Sequence, residues 1–233
     1  MVKNILVSLV IVALLVFGGY KIISKKSNMA IDDTQKSNIP VNTETTPSKD
    51  PNIFTVNNAS SKVSWKGSFV TGTKSHTGTI AIKSGEGLFE NGVVKSATLV
   101  FDMNSIKDND GSTKLEDHLK SDDFFNASMY PDATLNTISI STTTKVDVYN
   151  VKANLTIRDV TKEISFPLGI KTMSNGTVSA TGKITFNRAD FNVKYGSKSF
   201  FKNLGDKVIK DEIELNVDVV TEPFEGAKSP SSI

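Results

Sequence analysis

The sequence predicts an antiparallel all-β domain with one short helix, preceded by an N-terminal hydrophobic helix. Three observations point there. Apolar residues recur at every second position through many short segments. Asn- and Gly-containing turn signals separate those segments. A single central stretch abandons that period and reads as a helix. Strict alternation gives each strand one apolar and one polar face. That suits a sheet with one buried side, closed into a barrel or folded into a sandwich.

In chain order, the N-terminus is a region apart. Ile5–Phe17 is apolar except for Ser8, and the run reaches Ile23 if Lys21 snorkels to the interface. Its 19 residues sit at the lower end of spanning length. A signal peptide with Lys3 as its basic start is the alternative, but Gly18-Gly19-Tyr20 makes a poor cleavage site. Residues 1–26 are therefore read as an anchor that stays attached, or else a signal peptide. Lysines 21, 25 and 26 follow the segment and only Lys3 precedes it, which by itself would place the domain in the cytoplasm. Residues 27–52 hold Ser, Asn, Thr, Asp, Lys and Pro with few large apolar groups, so they read as a flexible linker.

The folded unit is expected over residues 53–221. Leu99, Phe101 and Met103 alternate, as do Val151, Ala153, Leu155 and Ile157. Ile164, Phe166, Leu168 and Ile170 form the next strand. Val178, Ala180, Gly182, Ile184 and Phe186 follow, then Ile213, Leu215, Val217 and Val219. Turns are expected at Glu90-Asn91-Gly92, Ser174-Asn175-Gly176 and Asn203-Leu204-Gly205. In Ala133–Ile140 the phase slips, with Leu135 on one parity and Ile138 and Ile140 on the other, which predicts a β-bulge or bend. Residues 222–233 read as a disordered tail.

Composition narrows the function. A net charge of +2 makes no electrostatic case for nucleic acid. The absence of cysteine excludes disulfides, thiolate metal sites and a lipoprotein anchor. With two histidines, His76 and His118, no multi-histidine metal site is expected, and neither a metal nor a cofactor is assigned.

The most informative stretch is Leu115–Pro131, LEDHLKSDDFFNASMYP. Leu115 and Leu119 are four apart and share a face if residues Ser112–Ser121 are helical. Bulky Phe124 and Phe125 follow at once. Asp122 and Asp123 are adjacent and point apart, so they read as solvated charge rather than an acid–base pair. His118 has no Ser or Cys at motif spacing, which favours a structural hydrogen bond near a barrel mouth. Arg188 falls in phase with Ile184 and Phe186. Pointing inward, it needs a carboxylate partner or an anionic ligand head. Lys194, Lys198, Lys202 and Lys207 read as solvated surface. The absence of a nucleophile set leads us to expect no enzyme.

The Asp117-His118-Leu119-Lys120-Ser121-x-Asp123-Phe124-Phe125 block with Tyr130-Pro131 resembles the signature of the YceI-like family of lipid-binding proteins. Gly72–Ile80 is similar to that family's early hairpin, and Leu155–Lys162 to its LTIRGVTK block, with Asp159 where Gly is usual. Arg188–Asn192 resembles its R-x-D-F-G block, with Asn192 for the last Gly, and Gly205-Asp206-Lys207-Val208 resembles its close. Both departures are expected at positive φ, which Asp and Asn tolerate best after Gly.

The resemblance implies a lipocalin-like antiparallel barrel with an apolar tunnel for an isoprenoid or similar long-chain amphiphile. It also implies export to the periplasmic side of a bacterial inner membrane, anchored there, or soluble in the periplasm if the N-terminal segment is cleaved. On that reading Trp65, Leu99, Phe101, Leu155, Phe166, Ile184, Phe186 and Arg188 line the tunnel, and Phe124 and Phe125 stand near its mouth. Small inward residues such as Ala153, Ala180, Gly182 and Val178 would leave the volume. The alternative is a structural or interaction module with a solid core and no ligand. The oligomeric state is open, and a homodimer is compatible with it.

Overall fold

A computed structural model describes residues 50, 52–71 and 74–228. The expected anchor, most of the linker, Gly72, Thr73 and residues 229–233 lie outside the described residues. Among the described residues no helix is long and apolar enough to cross a membrane.

The strands are β1 (Ile53–Thr55), β2 (Lys62–Ser68), β3 (Ser75–Glu90), β4 (Val93–Asp108), β5 (Asp132–Thr142), β6 (Val148–Ile157), β7 (Val160–Thr172), β8 (Val178–Asn187) and β9 (Glu212–Val220). One helix, α1 (Thr113–Lys120), stands between β4 and β5. From β2 to β9 each strand pairs antiparallel with the next, and β2 also pairs with β9. The result is an eight-stranded closed barrel without a free edge, and short β1 adds to the far end of β3.

Local chemistry explains the joints. The β3–β4 turn has two residues, Asn91 at φ 53° and Gly92 at φ 79°. Both are left-handed, as the tight hairpin turn requires. In β5 the pairing with β6 shifts between Thr137 and Ser139, where the phase slip lies, and Ile138 is turned outward. The β6–β7 turn corrects one expectation. The left-handed residue is Arg158, at φ 57°, and not Asp159. Arg158 is held there by its side chain. Its guanidinium donates to the carbonyls of Phe124 at 3.2 Å and Asn192 at 3.3 Å and lies 5.7 Å from the Tyr130 ring centre. Asn192 does take the positive φ expected of it, 59°.

β7 and β8 pair only from Gly169↔Thr181 to Thr172↔Val178. Pro167, two residues beyond that ladder, has no N–H to continue it. A 3-10 turn, Arg188–Phe191, follows β8 and packs beside β7. Helix α1 is capped by Ser112, whose Oγ accepts the Leu115 N–H at 3.3 Å. Glu116 turns under the helix. Its carboxylate accepts from Lys107 Nζ at 2.8 Å and from the Asp108 N–H at 3.1 Å, and the Lys107 ammonium, then that amide, hold its pKa below the ordinary value.

The connections after β2, β4, β6 and β8 gather at one end of the barrel, which holds the two long loops β4–β5 and β8–β9, and connections of two to five residues gather at the other, the short-turn end. The short-turn end carries its own apolar cluster of Phe54, Phe89, Val178, Phe224 and Ala227. Phe224 lies 5.7 Å from Phe54 and 5.4 Å from Phe89, centre to centre. This corrects the expected disordered tail. Residues 222–228 fold back, and the Phe224 N–H donates to the Gly176 carbonyl at 2.9 Å. One aromatic in a polar stretch was enough to dock it.

Candidate functional site

The barrel is hollow at the loop end, and a smaller, mostly polar pocket of about 230 Å³ lies among the strand ends at the short-turn end. Inside the barrel lies a cavity of about 370 Å³ that opens among the long loops. Its size falls in the range of small-molecule sites. Trp65, Phe101, Leu155, Phe186, Ile213 and Leu215 wall it from the strands. Leu115 and Leu119 of α1 bring one apolar helix face to its mouth, and Phe69, Tyr195 and Ile209 come from the loops.

Trp65 depends on the residue opposite. It pairs with Gly78, and a Cβ there would stand 2.5 Å from the indole ring and 1.8 Å from the Lys107 carbonyl oxygen. Only bare backbone lets the indole lie across β3. The indole Nε1 is buried in the wall with no hydrogen-bond partner.

Phe124 organises the mouth. Its ring centre is 5.0 Å from that of His118, 5.2 Å from Tyr195 and 6.4 Å from Phe125. His118 Nε2 lies 3.0 Å from Asp123 Oδ2, so its role is a structural hydrogen bond with Asp123 as partner. Arg188 sits below, 1% exposed, with its guanidinium carbon 5.9 Å from the Phe124 ring centre. It donates to the carbonyls of Lys210, Val193 and Ile209 at 3.2, 3.1 and 3.4 Å. Asp211 Oδ1 stands 3.2 Å away, and Ser199 Oγ donates to Asp211 Oδ2 at 2.6 Å. Burial lowers the guanidinium's pKa, and Asp211 opposes that shift. The inward arginine thus has a carboxylate of its own. Its charge ties the two ends of the 188–211 loop together rather than standing free for a ligand head.

Of the residues assigned from the sequence, Trp65, Phe101, Phe124, Phe125, Leu155, Phe186 and Arg188 line the cavity. Leu99, Phe166 and Ile184 do not. Phe166 and Ile184 are core at 6% and 4% exposure, and Leu99 packs against the core with Gly85 beneath it. The small residues do not make the void either. Ala153 is fully buried in the core, Ala180 packs against it and Val178 belongs to the short-turn cluster. A Cβ on Gly182 would meet Leu168 and the Pro167 carbonyl at 3.0 Å, so that position lets β7 and β8 approach. Small side chains at this end allow close packing, and the volume lies instead where the barrel walls reach the loops.

Sequence reasoning left out Phe69, His76, Tyr195 and Ile209, all of them lining residues. They stand in loops or at strand ends, where no periodicity marks the inward direction. Ile213 and Leu215 were visible in the β9 alternation, and Leu115 and Leu119 in their spacing.

The solved structures that resemble this barrel are distant in sequence. BcnA of Burkholderia cenocepacia is 24% identical, with a TM-score of 0.57, over 71% of this chain and 98% of that one. A polyisoprenoid binding domain from Saccharophagus degradans is 17% identical, also with a TM-score of 0.57, over 73% of this chain and 98% of that one. At these identities the likeness establishes the fold. No curated protein matches the chain. The YceI-like domain profile matches residues 54–221, from the second residue of β1 to the end of the barrel. The chain belongs to the YceI-like family.

Proposed function

We propose that this protein binds a long-chain isoprenoid or related amphiphile in the barrel cavity and carries it without chemical change. The observation that supports this most directly is an apolar cavity opening at the loop end of a YceI-like barrel. A structural relative described as a polyisoprenoid binding domain points the same way. The mechanism is burial. Each methylene taken out of water contributes about 0.8 kcal/mol, so a chain seated against Trp65, Phe101, Leu155 and Phe186 binds without a strong polar contact. The packed core toward the short-turn end would stop the chain's tail, and the aromatic and leucine side chains at the mouth would cover its length.

A carrier role without catalysis fits the polar groups around the cavity. Arg188 is engaged by carbonyls and Asp211, and His118 by Asp123. Among the described residues no lining hydroxyl is hydrogen-bonded to a histidine, as a nucleophile and its base would be. We further place the protein on the periplasmic side of a bacterial inner membrane, held by the uncleaved Ile5–Ile23 segment, where an isoprenoid carrier meets its ligand.

Native mass spectrometry of the purified full chain tests the binding. A long-chain isoprenoid alcohol is added as probe, with a small polar isoprenoid fragment as control. One bound long chain per protein, lost when Leu155 is replaced by Asp in a variant that still unfolds cooperatively, is the expected result. Absence of any bound long chain, with or without added probe, would overturn the reading.

A further inference from the structure

We propose that His76, Asp108 and Asp110 form a binding site for one divalent transition-metal ion, best matched to zinc, at the rim of the cavity. His76 is on β3 and Asp108 closes β4. The pairing Gly78↔Asp108 sets His76 two residues along on the same face as Asp108. Asp108 is fixed in place, because its Oδ2 accepts the Ser112 N–H at 3.1 Å at the start of α1. The Asp108 side chain is 0% exposed, yet its Oδ1 has no hydrogen-bond partner. His76 Nδ1 is also buried and without one. The two atoms face each other at 3.9 Å, too far for a hydrogen bond. Asp110, on the turn that follows, brings a third donor, and all three donor atoms lie within 4.8 Å of one another.

A buried carboxylate oxygen without a hydrogen-bond partner is costly, and the neutral imidazole opposite it offers a second lone pair at ion-pair distance. A cation between them satisfies both. Metal–ligand bonds of about 2.0–2.2 Å place two donors of one tetrahedral ion roughly 3.4 Å apart, so a small closing movement seats the ion. Asp110 is exposed and free to swing in. One imidazole with two carboxylates favours zinc, manganese or cobalt over magnesium and calcium, which take oxygen alone. Two aspartates balance the ion's charge. Three protein ligands leave a position open, and His76 is itself a lining residue, so that position belongs to the cavity rim. The two histidines of the chain exclude a multi-histidine centre but not this one.

The test is zinc titration of the chelator-stripped full chain by calorimetry, with thermal unfolding alongside. The proposal expects one zinc per chain, a rise in Tm with zinc, and a loss of affinity of about tenfold or more in both Asp108→Asn and His76→Gln. Asp108→Asn keeps an oxygen for the Ser112 N–H, so its metal-free Tm should stay near that of the parent. Asp123→Asn, at the His118 pair, should bind zinc like the parent. X-ray absorption at the zinc edge of the unmutated chain needs no variant and should show one imidazole nitrogen among oxygen ligands. No saturable one-to-one binding would overturn the site. So would parent-like affinity in either Asp108→Asn or His76→Gln, or an absorption spectrum without imidazole.

Discussion

The two ends of this barrel obey one strand code and reach opposite outcomes. Toward the short-turn end, Val151, Ala153, Phe166, Val217 and Val219 belong to the packed core, and Phe224 packs into a second cluster beyond them. At the loop end, residues of the same alternation on the same strands, such as Leu155, Phe186 and Leu215, face a void. The strands do not differ in kind. What differs is the connection. The β4–β5 and β8–β9 connections at the loop end are long, whereas those at the short-turn end run only two to five residues. Beyond Gly169↔Thr181 the β7–β8 ladder stops and the 3-10 turn Arg188–Phe191 stands beside β7. Hollow and packed regions differ in how far apart the walls stand, and Arg188 with its partners braces the loop between β8 and β9 at the hollow end.

The largest effect should come from breaking that support. Arg188→Met leaves Asp211 without its ion-pair partner and three loop carbonyls without their donor in a buried site. We expect a loss of about 3–5 kcal/mol in urea unfolding, because removing one partner strands the other. Phe224→Ala opens the short-turn end instead, and about 3 kcal/mol is expected by the same measurement. A small cost there would mean the folded-back tail contributes little.

A matched pair of alanines sharpens the comparison. Ala153 is fully buried in the solid core, and Ala133 lines the cavity. Ala153→Leu should overpack and cost on the order of 1–3 kcal/mol. Ala133→Leu has space to enter, so its Tm should hold while uptake of the isoprenoid probe falls. Equal destabilisation by the two would show that the loop end collapses in solution.

The smallest effect lies on the outer face. Lys183 Nζ donates to Glu214 Oε2 at 2.6 Å, and that bond is the main reason the Glu214 pKa lies below its ordinary value of 4.5. A carboxylate with a depressed folded-state pKa stabilises above its unfolded pKa, and loses that contribution as pH falls through the folded value. Glu214→Gln should therefore cost about 0.2–1 kcal/mol at neutral pH, as exposed pairs do, and the difference from the parent should vanish in acid. A difference that persists in strong acid, where both folded and unfolded carboxyls are protonated, would mean packing, not charge, is the cause.

Much of this was legible beforehand, for reasons particular residues show. The spacing of Leu115 and Leu119 marked α1, Asn91-Gly92 marked a turn, and the parity change before Ile138 marked the bulge. Each is a local rule, satisfied within a few residues. The positive φ at Arg158 was not legible, because it rests on contacts to Phe124, Asn192 and Tyr130 from distant segments. The docking of Phe224 was not either, since its pocket is made by Phe54 and Phe89.

By itself the sequence determined which face of β4 and of β6 to β9 turns inward, where the helix lies, and that an inward arginine needs a partner, because periodicity and charge act on the chain as written. Only the tertiary structure decided which inward residues touch empty space, that Asp211 is the partner, and that His76 faces Asp108 across a buried gap. Those depend on distances between segments far apart in sequence, and distance between walls is a property of the closed barrel, not of any strand within it.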